Sequence, residues 1–223
     1  MTISPWPILA ELLLFTLLSQ VAYLASTLVA APLLGARAEV ARIGFGPRLW
    51  APTWRGTRFE LCAIPLVASV TLEGMIEAEG PPQGFRALHP LRRAAVVTGA
   101  WVLPALLAAL AIGPGPAAHH VATALPHMAR MLVAEDGVGL VRTFLALPFR
   151  AGLGVFLAVT VGLNLLLPVP SLSGGLLLRY LLAWIAPATD RDRGWFWLHA
   201  IGIVALLVGC GREIYVIFRA IAG

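Results

Sequence analysis

The chain has 223 residues, of which 59% are hydrophobic and 12% charged, with mean hydropathy +0.86 and a formal charge of +5. Soluble domains carry about a quarter charged residues, so this balance excludes an ordinary soluble protein and predicts an integral membrane protein. All sixteen basic residues are arginine; beside membrane spans arginines orient the chain and meet anionic lipid, so the charge does not call for nucleic acid.

The first apolar stretch, about 8–34, is long enough to cross a hydrocarbon core of about 30 Å as a helix. It lacks the basic leader of a secretory signal and outruns the usual apolar region of about 7–15 residues, which predicts a retained span. Its polar residues Thr16, Ser19, Gln20, Tyr23, Ser26 and Thr27 follow offsets of 3, 4, 7, 10 and 11, a single helical face. Such a stripe faces other helices or an internal cavity.

Residues 35–93 are soluble in character and hold eight of the arginines. Short β-branched or aromatic runs at 39–44, 48–54, 57–64 and 66–72 are separated by Gly-Pro and Arg-Gly turn signals. They predict a small antiparallel sheet, within 38–72, lying against the membrane face. A polar loop over 73–90 is hinged at Gly80-Pro81-Pro82, and a second span covers 93–112, ending in Gly113-Pro114-Gly115-Pro116. Helical spacing at 121–132 and 138–147 predicts an amphipathic pair lying on the surface.

The third span starts near 151 and runs into the stretch 164–175, N-L-L-L-P-V-P-S-L-S-G-G. Pro168, Pro170, Gly174 and Gly175 break it at 168–173. Broken backbone inside a bilayer survives only where protein or a water-filled cavity surrounds it. The break therefore predicts an enclosed pocket, shaped by these four residues with Gln20 and Asn164 as polar neighbours. A short helix resumes to 185, a loop carries Asp190-Arg191-Asp192-Arg193, and a fourth span covers 195–218.

The predicted fold is thus a single, mainly α polytopic membrane domain over 1–223, with four transmembrane helices, a broken third span and a small sheet between spans one and two. Arginines concentrate in 35–93 and in the 186–194 loop. The positive-inside rule places both segments in the cytoplasm and both termini on the other side of what is expected to be a bacterial inner membrane.

His119, His120 and His127 sit together on a predicted outer loop, as solvated residues or as a metal site. His199, near Trp195 and Trp197, reads as an interface residue or as an axial ligand to a pigment or haem. Cys62 and Cys210 read as buried small hydrophobes, and Arg212-Glu213 inside span four as a snorkelling or mutually paired couple. No phosphate loop or nucleophile–base pair is visible, and no cofactor is expected.

Five ordered segments resemble the site-2 protease family, the intramembrane zinc metalloproteases. Pro168-Val169-Pro170-Ser171-Leu172-Ser173-Gly174-Gly175 is similar to its P-x-P-x-L-D-G-G signature. Leu34-Gly35 through Ile43-Gly44-Phe45-Gly46-Pro47 resembles the segment after its first span, and Ala63-Ile64-Pro65-Leu66 its A-I-P-L-G-G-Y-V segment. His89-Pro90-Leu91-Arg92-Arg93-Ala94 resembles the entry to its second span, and Arg212-Glu213-Ile214 fits its last helix.

The resemblance implies zinc held by H-E-x-x-H in the first span, with the glutamate as base, and by the aspartate of L-D-G-G. In this chain those positions fall on Tyr23, Leu24, Thr27 and Ser173, so all three ligands and the base are replaced. Hydroxyls are poor zinc ligands beside imidazole and carboxylate, and leucine accepts no proton. The expectation is a pseudoprotease with no catalytic residue and no metal, its three hydroxyls hydrogen-bonding span one to the broken stretch. It would act as a binding, scaffold or accessory subunit, partnered by membrane lipid and by other membrane subunits or a client transmembrane segment. An unconventional hydrolase using a non-standard metal site and a small membrane transporter are the alternatives.

Overall fold

A computed structural model describes residues 5–75, 83–133, 136–167, 172–185 and 215–216. Three helices among them are long and apolar enough to cross a membrane: Trp6–Leu33, Pro90–Ile112 and Phe149–Leu166. The predicted fourth span, the 190–193 loop, His199, Cys210 and Arg212-Glu213 lie outside the described residues, as do Pro168 and Pro170 and the Gly80-Pro81-Pro82 hinge.

Helix α1, Pro5–Leu33, opens on prolines, whose missing N–H costs nothing in a first turn. It stops at Gly35, where φ is 85°. There the Ala36 N–H donates to Ala31 O (2.8 Å) and the Gly35 N–H to Pro32 O (3.1 Å). This glycine-terminated double bond satisfies the last carbonyls and sends the chain back toward the helix. The described chain forms two compact units.

The first unit, Thr16–Pro104 with Leu177–Thr189, contains the sheet. Its strands are β1, Ala38–Trp50; β2, Thr53–Trp54; and β3, Thr57–Leu72, in the order β1-β3-β2 and antiparallel. The sheet region agrees with the expected 38–72, but the four short runs are two long strands and a two-residue one. Gly44 and Gly46, at φ of 89° and 88°, bend β1 without ending its pairing, a conformation open to glycine at little cost. Strand β3 folds back, so Val40 is paired with both Thr71 and Arg58, and Ile43 with both Ala68 and Leu61. Arg55 and Gly56, both at positive φ, make the tight β2–β3 turn that suits strand twist.

The sheet reaches back along α1 from the helix end. Gln20 Nε2 donates to Pro65 O at 3.1 Å, and Gln20 is near the midpoint of the Trp6–Leu33 span. The thirteen residues from Gln20 to Leu33 rise about 20 Å. The middle of β3 therefore runs back along α1 to the depth of its centre. Hydrocarbon holds no water to satisfy the Pro65 carbonyl at that level, and the Gln20 amide supplies its donor instead.

One face of the sheet is charged. Arg42 stands opposite Glu60 in the pairing of β1 with β3. The fully buried Glu60 carboxylate meets Arg42 Nε (2.6 Å), Arg58 Nε (2.9 Å) and Arg48 Nη1 (3.2 Å). Burial alone would raise its pKa; the Arg42 hydrogen bond and the charges of Arg42, Arg58 and Arg48 outweigh that and hold it below the ordinary 4.5. A carboxylate depressed on folding adds stability above its unfolded pKa and loses it as pH falls through the folded value. The thermal midpoint of the purified protein is accordingly expected to fall as pH drops below about 4.5, with Glu60→Gln flattening that dependence. A mutant curve parallel to the wild-type curve would contradict this assignment.

Helices α2, Pro90–Gly99, and α3, Val102–Ile112, make the second span. It begins three residues before the expected 93, because Pro90 fits the first turn and His89 Nδ1 accepts from Leu91 N. Ser26 Oγ donates to Gly99 O (2.6 Å) and accepts from Leu103 N (3.2 Å), tying α1 to the α2–α3 junction.

The second unit, Met1–Phe15, Ala105–Leu176 and Asp190–Gly223, contains α4, Pro114–Val133; α5, Asp136–Leu145; α6, Phe149–Leu166; and the start of α7, Ser173–Ile185. The expected surface pair is corrected in one respect: α4 packs on α6. A Cβ at Gly162 would collide with Val121 O and lie 2.6 Å from Ala124 Cβ. Beside this contact Ala108, Ala117, Leu157 and Ala158 are buried together. Small residues let helix backbones approach where lipid supplies no hydrophobic drive between helices. Pro114, expected to lie in the span-ending turn, is instead the first residue of α4 after Gly113 at φ 90°. Phe15, 1% exposed, sits among the rings of Phe144, Phe149 and Phe156.

Candidate functional site

The polar stripe of α1 is turned inward: Ser19, Gln20, Ser26 and Thr27 are buried and Tyr23 is half-buried. Four of them have a local cause. Gln20 spends its amide N–H on β3 and Ser26 its hydroxyl on the α2–α3 junction. Thr27 Oγ1 donates to Tyr23 O one turn back, at 2.8 Å. The Tyr23 ring packs on Trp101, with centroids 4.9 Å apart and planes at 45°. Leu24, beside them, is 7% exposed.

The residues that the resemblance places at the zinc motif are thus occupied in packing α1. Tyr23 meets an aromatic wall, Leu24 is in the core, and the Thr27 donor closes a bond within its own helix. No imidazole or carboxylate stands at these positions, so the donor set does not fit zinc, which takes Cys, His, Asp or Glu. No group of three or more His, Cys, Asp or Glu suited to a metal occurs among the described residues. Gln20 Oε1 is buried with no partner among the described residues.

In the second unit α6 ends at Leu166 and α7 begins at Ser173, on either side of the expected break. Gly174 and Gly175 are buried. A Cβ at Gly174 would strike Leu167 O and lie 2.6 Å from Leu165 O, so glycine lets the chain close tightly after the prolines. Asn164 Nδ2 donates to Thr160 O within α6 at 2.9 Å, a bond that holds its side chain on its own helix.

The three histidines are on helix α4, not on a loop. Ring centroids are 5.9 Å apart for His119–His120 and 6.4 Å for His120–His127. Burial, then the neighbouring charges of His119 and His127, push the His120 pKa down and favour its neutral form. Cys62 is buried, as expected.

Two contributors escaped the sequence reading. Trp101 lies past the apparent end of any polar pattern. Pro65 carried a signal, since a proline inside a β-run leaves its surroundings short of a donor.

With the geometry in hand, comparison with known proteins adds one match. A family model described as Peptidase family M50 matches residues 28–209, starting one residue after Thr27. No curated protein matches the chain.

Proposed function

We propose, from the premise that the chain belongs to peptidase family M50, that it is a catalytically inactive member acting by binding. It would serve as an accessory or scaffold subunit in a membrane complex, or hold a client transmembrane segment without cutting it. The supporting observation is the replacement of all four chemical positions by Tyr23, Leu24, Thr27 and Ser173. A neutral leucine in the core cannot take a proton from water. Without a bound Lewis acid, nothing draws the pKa of that water down from its bulk value toward neutrality.

The binding element in this reading is the middle of β3. Leu61, Ile64, Leu66 and Val67 are exposed although they belong to a strand. An exposed apolar strip of this kind presents side-chain contacts to an apolar partner, and a sheet adds an extended segment where its edge is unpaired. We place the entry of residues 35–93 on the cytoplasmic side of a bacterial inner membrane, with the middle of β3 reaching back along α1 and both termini opposite.

Two measurements test it. Purified protein is expected to hold far less than one zinc per chain and to leave membrane-embedded peptides intact; stoichiometric zinc together with cleavage would overturn inactivity. A photo-crosslinker at Val67 is expected to join a partner membrane protein more efficiently than one at Leu106, an exposed residue of α3. Equal yields at the two positions would overturn the binding role of β3.

A further inference from the structure

The arginine face of the sheet has a charge imbalance that the protein leaves open. Three guanidiniums, of Arg42, Arg48 and Arg58, surround one carboxylate, that of Glu60. Among the described residues Glu60 is the one acid within ion-pair distance of them. Among the described residues two positive charges there remain uncompensated.

Geometry turns that excess into a binding surface. Glu60 is fully buried, while the three arginine side chains remain 45%, 57% and 46% exposed in the order Arg42, Arg48, Arg58. Each guanidinium spends one nitrogen on Glu60 and has further N–H donors to offer. The buried carboxylate thus works as an internal clip that fixes three planar donors side by side. Arginine in such an array suits the oxygens of phosphate, which it can meet with two parallel bonds.

The position of the cluster favours a lipid as the carrier of that phosphate. β1 starts at Ala38, just past the glycine-capped end of α1, and by Phe45 and Pro65 the sheet has reached the level of Gln20. Arg42 lies on the stretch between. The helix end, about 20 Å above the span midpoint, falls in the headgroup layer of a bilayer about 40–45 Å thick. On the same hairpin Trp50 and Trp54 are exposed, with Arg55 over the Trp54 ring at 4.9 Å. Tryptophan and arginine together are the usual residents of that layer.

We propose that Arg42, Arg48 and Arg58, clipped by Glu60, form a site for the phosphate of an anionic phospholipid headgroup. This site is separate from the Tyr23–Thr27 region and does not depend on whether the chain is catalytic.

The test uses the full chain purified in mild detergent, with phosphatidylglycerol added and retained lipid read by native mass spectrometry. Arg48→Gln, the most exposed position, is expected to lower retention about five-fold, the factor matching about 1 kcal/mol per arginine near a membrane surface. Arg42→Gln with Arg58→Gln is expected to remove retention. Arg92→Gln, an equal change of charge on exposed α2, serves as the control and is expected to leave retention unchanged. Equal losses in the control, or full retention in the double variant with its thermal midpoint unchanged, would overturn the site. A double variant with a lowered midpoint leaves the decision to Arg48→Gln, for which unchanged retention overturns the site. Inorganic phosphate alone, at millimolar concentration, is expected not to displace the lipid; if it does, the ligand is free phosphate and the lipid assignment falls.

Discussion

Phe15→Ala is expected to lower the stability of the second unit by roughly 2–3 kcal/mol, read as a drop in thermal midpoint in detergent and as faster proteolysis of the α4–α6 region. Comparable truncations in soluble cores cost about 3–5 kcal/mol. Part of that cost is transfer from water, which largely vanishes where the alternative environment is lipid as apolar as leucine. What remains is the cavity. Phe15 is 1% exposed and surrounded by three rings at centroid distances of 5.2–6.3 Å, and a Cβ at Gly152 would lie 3.3 Å from it. α1, α5 and α6 all contribute to this cluster, so the site collapses poorly. Phe15→Leu refills most of the space and is expected to restore more than half of the loss. Equal losses for alanine and leucine would mean that ring geometry, not volume, carries the effect.

Gly44→Val has the second large expected effect, confined to the sheet. Two costs coincide. A β-branched residue at φ 89° is strongly disfavoured, by about 1–2 kcal/mol or more. A Cβ at this position would also lie 2.5 Å from Ile64 O and 3.0 Å from the Pro65 Cα, both backbone atoms that cannot rotate away. Overpacking adds about 1–3 kcal/mol. The expected result is loss of the β1–β3 pairing at Phe45 and Ile64, seen as rapid amide exchange there, with the helices intact. Gly46→Ala, where a Cβ would meet nothing within 4 Å, isolates the backbone term and is expected to cost about 1–2 kcal/mol. Wild-type exchange at Phe45 in Gly44→Val would refute the steric argument.

The helical frame was legible because its signals are local. The inward stripe from Thr16 to Thr27 follows directly from its spacing, and four of its six residues are buried. The sheet region and the flanks of the break at Leu166 and Ser173 were equally plain, since proline and glycine act on their own backbone. The depth of the sheet was not legible. It depends on Gln20 meeting Pro65, forty-five residues on, and a polar residue in a span does not name its partner. Packing of α4 on α6 escaped for a related reason. Gly162 and Ala124 are small residues in helical runs, and smallness becomes a contact only when two elements are placed together. At the candidate site the resemblance named Tyr23, Leu24, Thr27 and Ser173 as the positions to follow. It did not show that the Thr27 hydroxyl would be used within its own helix or that Tyr23 would lean on Trp101.

The bond from Gln20 to Pro65 constrains how the chain is assembled. Its donor belongs to the first segment made and its acceptor to a strand synthesised later. In hydrocarbon neither group has another partner as good. The bond needs both groups present, so the strand takes its level on α1 from a helix that has already been made.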